Sequence, residues 1–287
     1  VNMLAGEQPL KEMNLVELNE SLRRKIPLEP ITLTAVAQFV WPLCRISAFL
    51  ATMFAVSGNS FPMMTRALLA LTITVCMLPS IPNLAPNTDP FTVYGIIVTI
   101  KECLIGLALG LCTLFISQAF IIAGQAVAMQ TGLGFASLVD PVSGTNSPVV
   151  GQFFTVLCTL VFFSVDGHLI FLRLLLESFK ALPMGEALPL YGIREFVIFS
   201  GSMFKAGLAM SMSAICTMLV VNFTLGVMTK AAPQLNIFSL GFAVTMIVGL
   251  CVLFLSLNAF MSNFTNNFND VFNTACSLVG MSCEGVL

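Results

Sequence analysis

Long runs of apolar residues, separated by short stretches rich in glycine, proline and polar residues, dominate the chain. A run of about 20 apolar residues is long enough to cross a bilayer as a helix. The predicted helices cover about 31–56, 61–78, 91–130, 149–165, 169–182, 194–230 and 236–260. This pattern predicts an all-α, membrane-associated fold that contains helical hairpins and long, broken helices.

Two of the predicted helices, 91–130 and 194–230, are too long for a single span. At 1.5 Å per residue the first would be roughly 60 Å long, about twice the thickness of the hydrocarbon layer. It is therefore expected to break into two helices or to project beyond the bilayer. Pro42 is expected to kink or end the first helix, and the turn Asp166-Gly167-His168 predicts a hairpin of the helices on either side.

The stretch 130–148 interrupts the apolar pattern in the middle of the chain. Gly132 and Gly134 permit backbone angles that other residues avoid, whereas Pro141 and Pro148 remove backbone donors and disfavour helix before them. An irregular backbone leaves amides and carbonyls unpaired, and each unpaired group costs several kcal/mol in lipid. The loop must therefore be buried in protein or line a watery cavity, which makes it a candidate functional element.

Charge is concentrated at one end, since residues 1–30 hold nine of the 26 charged side chains (12 basic plus 14 acidic). This distribution predicts a polar N-terminal tail over 1–30 and a helical unit over 31–280. A short C-terminal tail is expected over 281–287.

Composition also indicates a membrane protein, because 57% of the residues are hydrophobic, 9% are charged and the mean hydropathy is +0.96. A soluble domain carries charge on about 25% of its residues. The net charge of −2, without a cluster of Lys and Arg, argues against nucleic acid as a partner.

Most of the nine cysteines sit singly in apolar runs, which favours small buried side chains over disulfides or metal ligands. This interpretation is least clear at Cys276 and Cys283.

No catalytic, metal or cofactor site is predicted. His168 is the only histidine, and it lies in a turn whose polar groups are expected to satisfy one another. The sequence contains no zinc-binding His-Glu-x-x-His motif, and its Gly-Leu-Gly-Phe stretch lacks the strand and lysine of a phosphate loop. The chain is therefore predicted not to be an enzyme.

Four ionisable residues lie inside the apolar runs, namely Arg45, Lys101, Glu102 and Lys205. A charge at membrane depth costs at least about 2.5–3.5 kcal/mol, so each should face a partner or water. Lys101 and Glu102 are adjacent and point about 100° apart on a helix, so they cannot share one partner. Glu102 is expected to meet Lys205, or both are expected to meet neighbouring subunits; the alternative is a lysine that snorkels to an interface.

Small residues recur at helical spacing in the longest predicted helix, at Gly106, Gly110 and Gly124. Such a stripe allows another helix to approach closely. The pattern favours helix packing in an assembly, and ordinary packing within the chain is the alternative.

A set of motifs resembles a known family. The most specific is Pro233-Gln234-Leu235-Asn236-Ile237-Phe238, and Glu102 with Gly106, Asp140-Pro141 and Asn146 with Pro148 follow the same family pattern. In these residues the chain is similar to the FliR family of type III protein export gates, whose counterparts in virulence injectisomes are the T components. Ala243 departs from the family, which usually has proline there.

The resemblance implies that one copy assembles with several FliP-like and FliQ-like subunits, and with an FlhB-like subunit, into a cone-shaped gate. It places this gate in the bacterial inner membrane at the flagellar basal body, with much of it above the bilayer on the periplasmic side. Unfolded flagellar proteins are the implied substrates, and no nucleotide or other cofactor is implied.

The family's central loop plugs the closed pore, and it maps onto about 131–147 of this chain. The residues assigned to the plug by this resemblance are Gly132, Leu133, Gly134, Phe135, Asp140, Pro141, Asn146 and Pro148. Two alternatives are a secondary transporter with an ion or proton relay at Glu102, Lys205 and Asp140, and the equivalent subunit of a virulence injectisome. The stretch 237–242 favours the flagellar branch.

Overall fold

The computed structural model describes residues 28–57, 61–81, 91–134, 149–186, 189–231 and 237–281. The regular secondary structure in these ranges is entirely helical, which confirms the predicted all-α fold. The helices are α1 (Leu28–Thr52), α2 (Phe54–Ser57), α3 (Met63–Met77), α4 (Val93–Thr131), α5 (Val149–Ser164), α6 (Gly167–Ala181), α7 (Leu190–Ser200), α8 (Ser202–Ala231), α9 (Ile237–Ser256) and α10 (Phe260–Val279). Single turns of 3-10 helix follow α3 at Leu78–Ser80 and α9 at Leu257–Ala259.

Helix α4 is the centre of the molecule. It is continuous over 39 residues, so of the two expectations for this run the break is wrong. The Thr92 hydroxyl accepts a hydrogen bond from the Gly95 amide at 3.2 Å and caps its start, and Gly132 ends it in the left-handed region at φ 79°. The helix packs against α1, α5, α8 and α10, and these neighbours bury most of its length. Its length of about 58 Å is twice the hydrocarbon thickness.

The second long run does divide, into α7 and α8, at Gly201 alone. Gly201 keeps helical angles at φ −71° and ψ −20°, and its amide still bonds to carbonyls of the preceding turn. In α1, the helix continues through Pro42 instead of ending there. Trp41 and Arg45 on either side of the proline are completely buried, so their packing holds the helix where one backbone hydrogen bond is missing.

The predicted hairpin of α5 and α6 is wrong, because the two helix axes are bent by 65° and do not run back on each other. Only Val165 and Asp166 separate the helices. Hydrogen bonds of helical spacing continue into the turn from both sides, from Val165 to Val161 and from Ile170 to Asp166. Asp166 takes the left-handed conformation at φ 56°, which turns the chain without reversing it.

Helix α10 is amphipathic. Phe260, Phe264, Phe268 and Phe272 recur every four residues, and all four are buried in the core. Cys276 on the same helix is disulfide-bonded, at one of the two positions where the sequence left the state of the cysteine open. The other cysteines among the described residues are free thiols.

Burial divides the apolar helices into two kinds. Within the described ranges, four segments are long and apolar enough to cross a membrane, or five if the bent pair α5 and α6 counts as one span. The most apolar stretch of α4 is 67% buried inside the molecule, whereas the corresponding stretches of α3 and of the segment containing α9 are each 11% buried. The core therefore surrounds α4, whereas most of the apolar surface of α3, α8 and α9 is left uncovered by the described part of the chain.

Candidate functional site

Arg45 of α1 and Glu102 of α4 form an ion pair in the interior of the molecule. The Arg45 Nε donates to Glu102 Oε2 at 2.7 Å, and both side chains are fully buried. The two helices pack along much of their length, which brings these residues together although 57 positions separate them in the chain. Transfer of both charged groups out of water costs free energy. Removal of one partner destabilises the fold even more, because the other would remain as a buried, uncompensated charge.

Arg45 also binds the end of α6. Its Nη1 donates to Ser178 Oγ at 3.2 Å, and its Nη2 donates to the Leu182 carbonyl at 3.1 Å. The guanidinium carbon lies 4.2 Å from the centre of the Phe179 ring, within the range of a cation–π contact. Arg45 therefore ties three helices together through one rigid, planar group.

Glu102 is less completely satisfied than its partner. Its Oε2 accepts from Arg45, but no residue that the structure describes donates to its buried Oε1. Most buried polar side-chain atoms have a hydrogen-bond partner, so this oxygen is an exception within the core. Among the described residues, Glu102 is therefore held through one carboxylate oxygen only, and that oxygen is bound by Arg45.

Lys101 points away from Glu102, as the 100° offset of adjacent helical residues requires. Its Nζ donates to the Gly185 carbonyl at 3.1 Å, just beyond the end of α6. Arg45 and Lys101 thus hold two carbonyls of the same short segment, 182–185.

The expected pairing of Glu102 with Lys205 is wrong, because Glu102 is enclosed with Arg45 whereas Lys205 lies exposed on α8.

The glycine stripe of α4 lies where other helices cross it. A Cβ atom on Gly106 would collide with the Arg45 carbonyl, and one on Gly110 would lie 2.7 Å from the Phe49 carbonyl, so both glycines allow α1 to approach. A Cβ atom on Gly124 would lie 2.8 Å from the Gly151 Cα of α5. These close contacts are all made within the chain.

The end of α4 opens onto a cavity of about 680 Å³. It lies between α4, α8 and α9, and its lining includes Gln130, Gly132, Asn222 and Phe242. Leu133 packs against the core, and a Cβ atom on the buried Gly134 would lie 2.8 Å from Met129 Sδ. The start of the predicted plug is thus fixed beside a large cavity with polar groups in an otherwise apolar wall.

Several predicted residues lie outside the residues whose side chains the structure describes. They are Phe135, Asp140, Pro141, Asn146 and Pro148 of the loop, and Pro233, Gln234, Asn236 and Phe238 of the family motif. Phe238 lies within α9, but only its backbone is described.

Sequence reasoning missed the acceptors that hold Arg45. Ser178 and the Leu182 carbonyl lie 133 and 137 residues away, and nothing in their local sequence distinguishes them from other residues near a helix end. It also missed the bond from Trp41 Nε1 to Thr99 Oγ1 at 3.2 Å, one turn before the ion pair. The turn at His168 is not self-satisfied as expected, because its buried Nδ1 has no partner among the described residues.

No group of three or more His, Cys, Asp or Glu side chains in the described ranges is arranged to hold a metal ion. The polar contacts of the interior are instead those of a structural clamp, in which a guanidinium and an ammonium bind a carboxylate, a hydroxyl and backbone carbonyls.

Comparison with known proteins agrees with the motif pattern. Residues 36–271 match the family described as bacterial export proteins, family 1. The chain is 32% identical over 243 residues to the flagellar biosynthetic protein FliR of Escherichia coli K12. The aligned residues cover 84% of this chain and 92% of that protein.

Two further relatives carry the same name. The protein of Pectobacterium carotovorum is 34% identical over 247 residues, 85% of this chain and 93% of the relative. The protein of Bacillus subtilis is 28% identical over 251 residues, 85% of this chain and 96% of the relative. The chain therefore belongs to family 1 of the bacterial export proteins, together with the flagellar biosynthetic proteins FliR.

Proposed function

We propose that this chain is a non-enzymatic subunit of the flagellar type III protein export gate in the bacterial inner membrane. Family membership supports the class of protein, and the names of the relatives support the flagellar branch. One structural observation carries the proposal of an assembled gate, namely the apolar surface left open on one chain. The most apolar stretches of α3, of α7 with α8, and of the segment 241–279 are only 11%, 17% and 11% buried.

Neighbouring subunits are the proposed cover for part of this surface. α4 is about 58 Å long, so the helices packed along it extend beyond a hydrocarbon layer of about 30 Å. Lipid cannot cover apolar surface outside that layer, but protein can. FliP-like and FliQ-like subunits, with an FlhB-like subunit, are the proposed neighbours, and much of the gate is proposed to lie above the bilayer on the periplasmic side.

The loop at about 131–147 is proposed to plug the closed conduit, through which unfolded flagellar substrates pass. Support comes from the position of its first residues, since α4 ends at Gly132 beside the cavity lined by Gln130 and Asn222. A loop whose backbone donors and acceptors are irregular needs such polar surroundings at membrane depth. The clamp of Arg45, Glu102 and Lys101 is proposed to hold α1 and α6 against α4 in a fixed arrangement.

Purification of the tagged chain with its native operon in mild detergent tests the proposal. We expect a stable complex of several different chains, whose intact mass identifies the sister subunits and their copy numbers. A strain that lacks this chain should neither export flagellar proteins nor swim, and the unaltered chain should restore both. A monomer that transports a small solute in vesicles, or a deletion strain that still swims, would contradict the proposal.

A further inference from the structure

A polar cleft between α8 and α10 interrupts the apolar outer surface of the molecule. It has a volume of about 220 Å³, and its polar lining comes from Ser202, Lys205, Asn263, Asn266, Asn267 and Asp270. Asn267 is buried and its Nδ2 donates to the Ile116 carbonyl at 3.4 Å, which anchors this face of α10 to α4. The other polar groups open outward.

Lys205 has no charged partner in the part of the chain that the structure describes. The ion pairs there are Arg45 with Glu102 and Lys180 with Glu177, and Lys205 takes part in neither. Asp270 lines the same cleft, but its carboxylate lies beyond ion-pair distance of Lys205. Each wall of the cleft therefore presents one unneutralised charge.

On the α8 side, next to the cleft, the exposed neighbours of Lys205 are apolar. Leu208 and Met212 share its face of α8, three and seven residues further on, and they are 52% and 57% exposed. Phe204 beside it is 55% exposed. An ammonium group set among exposed apolar side chains is costly in lipid, and when protein covers such a face the buried charge needs a counter-charge.

The α10 wall distinguishes a protein occupant from a lipid. Met261 is the single large apolar side chain that α10 exposes within the described residues. Below a phospholipid headgroup, acyl chains would need apolar surface on both walls, and α10 offers asparagines there instead. Asparagine amides both donate and accept, which suits the polar side chains of a packed helix.

We propose that the cleft receives an acidic side chain from a helix of a neighbouring export-gate subunit, whose carboxylate is bound by Lys205 and the amides of Asn263 and Asn266. Asp270 then accepts a hydrogen bond from a donor side chain on the same partner helix. The cleft would thus recognise one acidic side chain and one donor side chain of the partner. This inference rests on the proposed function, because the partner is a sister subunit of the gate. The inference assigns to this chain the docking site for that subunit, and to the subunit an acidic side chain that faces Lys205.

Charge variants in the complete gate complex test the cleft. We expect Lys205→Glu and Lys205→Met to lower the recovery of sister subunits at least about tenfold, since truncating one member of a buried charge pair weakens an interface strongly. Lys205→Arg should retain recovery within about twofold. Lys180→Glu is the matched control, because Lys180 is a surface lysine paired only with Glu177 of its own helix, and it should also stay within about twofold.

A charge swap separates an external partner from a local one. In Lys205→Glu with Asp270→Lys, the two charges exchange walls, so a pair that served only each other would recover. We expect no recovery, because the sister subunit still presents its acid to position 205. An acid-to-lysine change in a sister subunit, selected for restored swimming, should rescue Lys205→Glu.

Three results would overturn the docking site. Normal assembly of Lys205→Glu would show a water-facing cleft, recovery in the swap would show a local pair, and loss of bound phospholipid with intact subunit recovery would show a lipid site. Lys205 is exposed, so its variants should fold, and unchanged thermal unfolding of the isolated variant chain checks this point. If the unaltered chain itself recovers no sister subunits, the export-gate proposal fails instead.

Discussion

Arg45 is the residue on which the interior depends most directly. Its guanidinium pairs with Glu102, donates to Ser178 and Leu182, and lies over Phe179, while no part of its side chain reaches solvent. Desolvation of such a group is offset only when its charge and its donors are satisfied together. The loss of one partner therefore affects stability more than a count of single hydrogen bonds suggests.

Glu102→Ala should destabilise the chain by about 3–5 kcal/mol, because it leaves Arg45 buried without its counter-charge. Thermal or denaturant unfolding of the purified variant in detergent measures the change. Glu177→Ala is the control, since the Lys180–Glu177 pair is partly exposed at 49% and 29% and should contribute only about 0–1 kcal/mol. Equal destabilisation by the two changes would contradict the role of the buried pair.

Reversal of both charges at this site is not expected to restore stability. A glutamate at position 45 has no donor for the Leu182 carbonyl, which Arg45 now binds. The double variant Arg45→Glu with Glu102→Arg should thus unfold at least as easily as Glu102→Ala. Full restoration would show that the ion pair alone accounts for the site.

At the residue scale, the sequence predicted which side chains need partners but not which partners they find. The cost of a charge in an apolar run singled out Arg45, Lys101 and Glu102 without structural information. Helical geometry also separated Lys101 from Glu102 correctly. The choice of Arg45 over Lys205 as the partner of Glu102 depends on which helix packs against α4 at the position of Glu102. Tertiary packing decides this, and the periodicity of a single helix does not predict it.

At the scale of elements, the crossing of α1 and α4 sets the geometry of the clamp. The missing side chains at Gly106 and Gly110 let the two backbones approach, and this approach brings Arg45 to Glu102. Glycine in a helix interior normally costs about 0.5–1 kcal/mol relative to alanine. Here the close packing with α1 offsets that cost.

Gly106→Ala should destabilise the chain by about 1–3 kcal/mol, because the new methyl group collides with the Arg45 carbonyl and forces the helices apart. Gly226→Ala on α8 is a matched control, since no atom outside its own stretch of helix backbone lies within 4 Å of the position that its Cβ would take. The control should be neutral or gain up to about 1 kcal/mol from helix propensity. Unfolding midpoints of the two variants, compared with the parent chain, provide the measurement.

The helices themselves were largely predictable, whereas their breaks and angles were not. Apolar runs located the helices, and the caps at Thr92 and Gly132 follow known preferences. The four glycines within α4 did not break it, and neighbouring helices pack closely on three of them, Gly106, Gly110 and Gly124. In contrast, the single residue Gly201 divides α7 from α8. The 65° bend at Val165 and Asp166 depends on one residue in the left-handed region, which the sequence pattern did not distinguish from a hairpin turn.

At the scale of the whole molecule, the contrast between a buried α4 and exposed outer helices is the main feature. The chain itself buries 67% of the most apolar stretch of α4, but Leu68 of α3, Phe223 of α8 and Phe254 of α9 are 59%, 74% and 70% exposed. Monomeric soluble proteins rarely expose apolar patches of more than a few hundred Å². The sequence predicted the amount of apolar surface, but not which helix would receive cover from the chain itself.

Deletion within 135–145 should make the closed gate leak small ions while the complex still assembles, because the proposed plug is lost and the clamp around Arg45 is untouched. Conductance of the purified complex in planar bilayers, together with its intact mass, measures both expectations. A deletion of the same length within 82–90, between α3 and α4, is the control and should leave the gate closed. Conductance equal to that of the unaltered gate would contradict the plug assignment.

The long reach of Arg45 constrains how the chain is made. Its farthest acceptor, the Leu182 carbonyl, lies 137 residues downstream, so the ribosome must first deliver α6 before this contact can form. A lone guanidinium in lipid costs at least about 2.5–3.5 kcal/mol. The nascent α1 is therefore better held in a wetter place, at the membrane surface or in the insertion machinery, until α6 emerges. Helix α1 is thus translated before α6 but reaches its final position only after α6 is present.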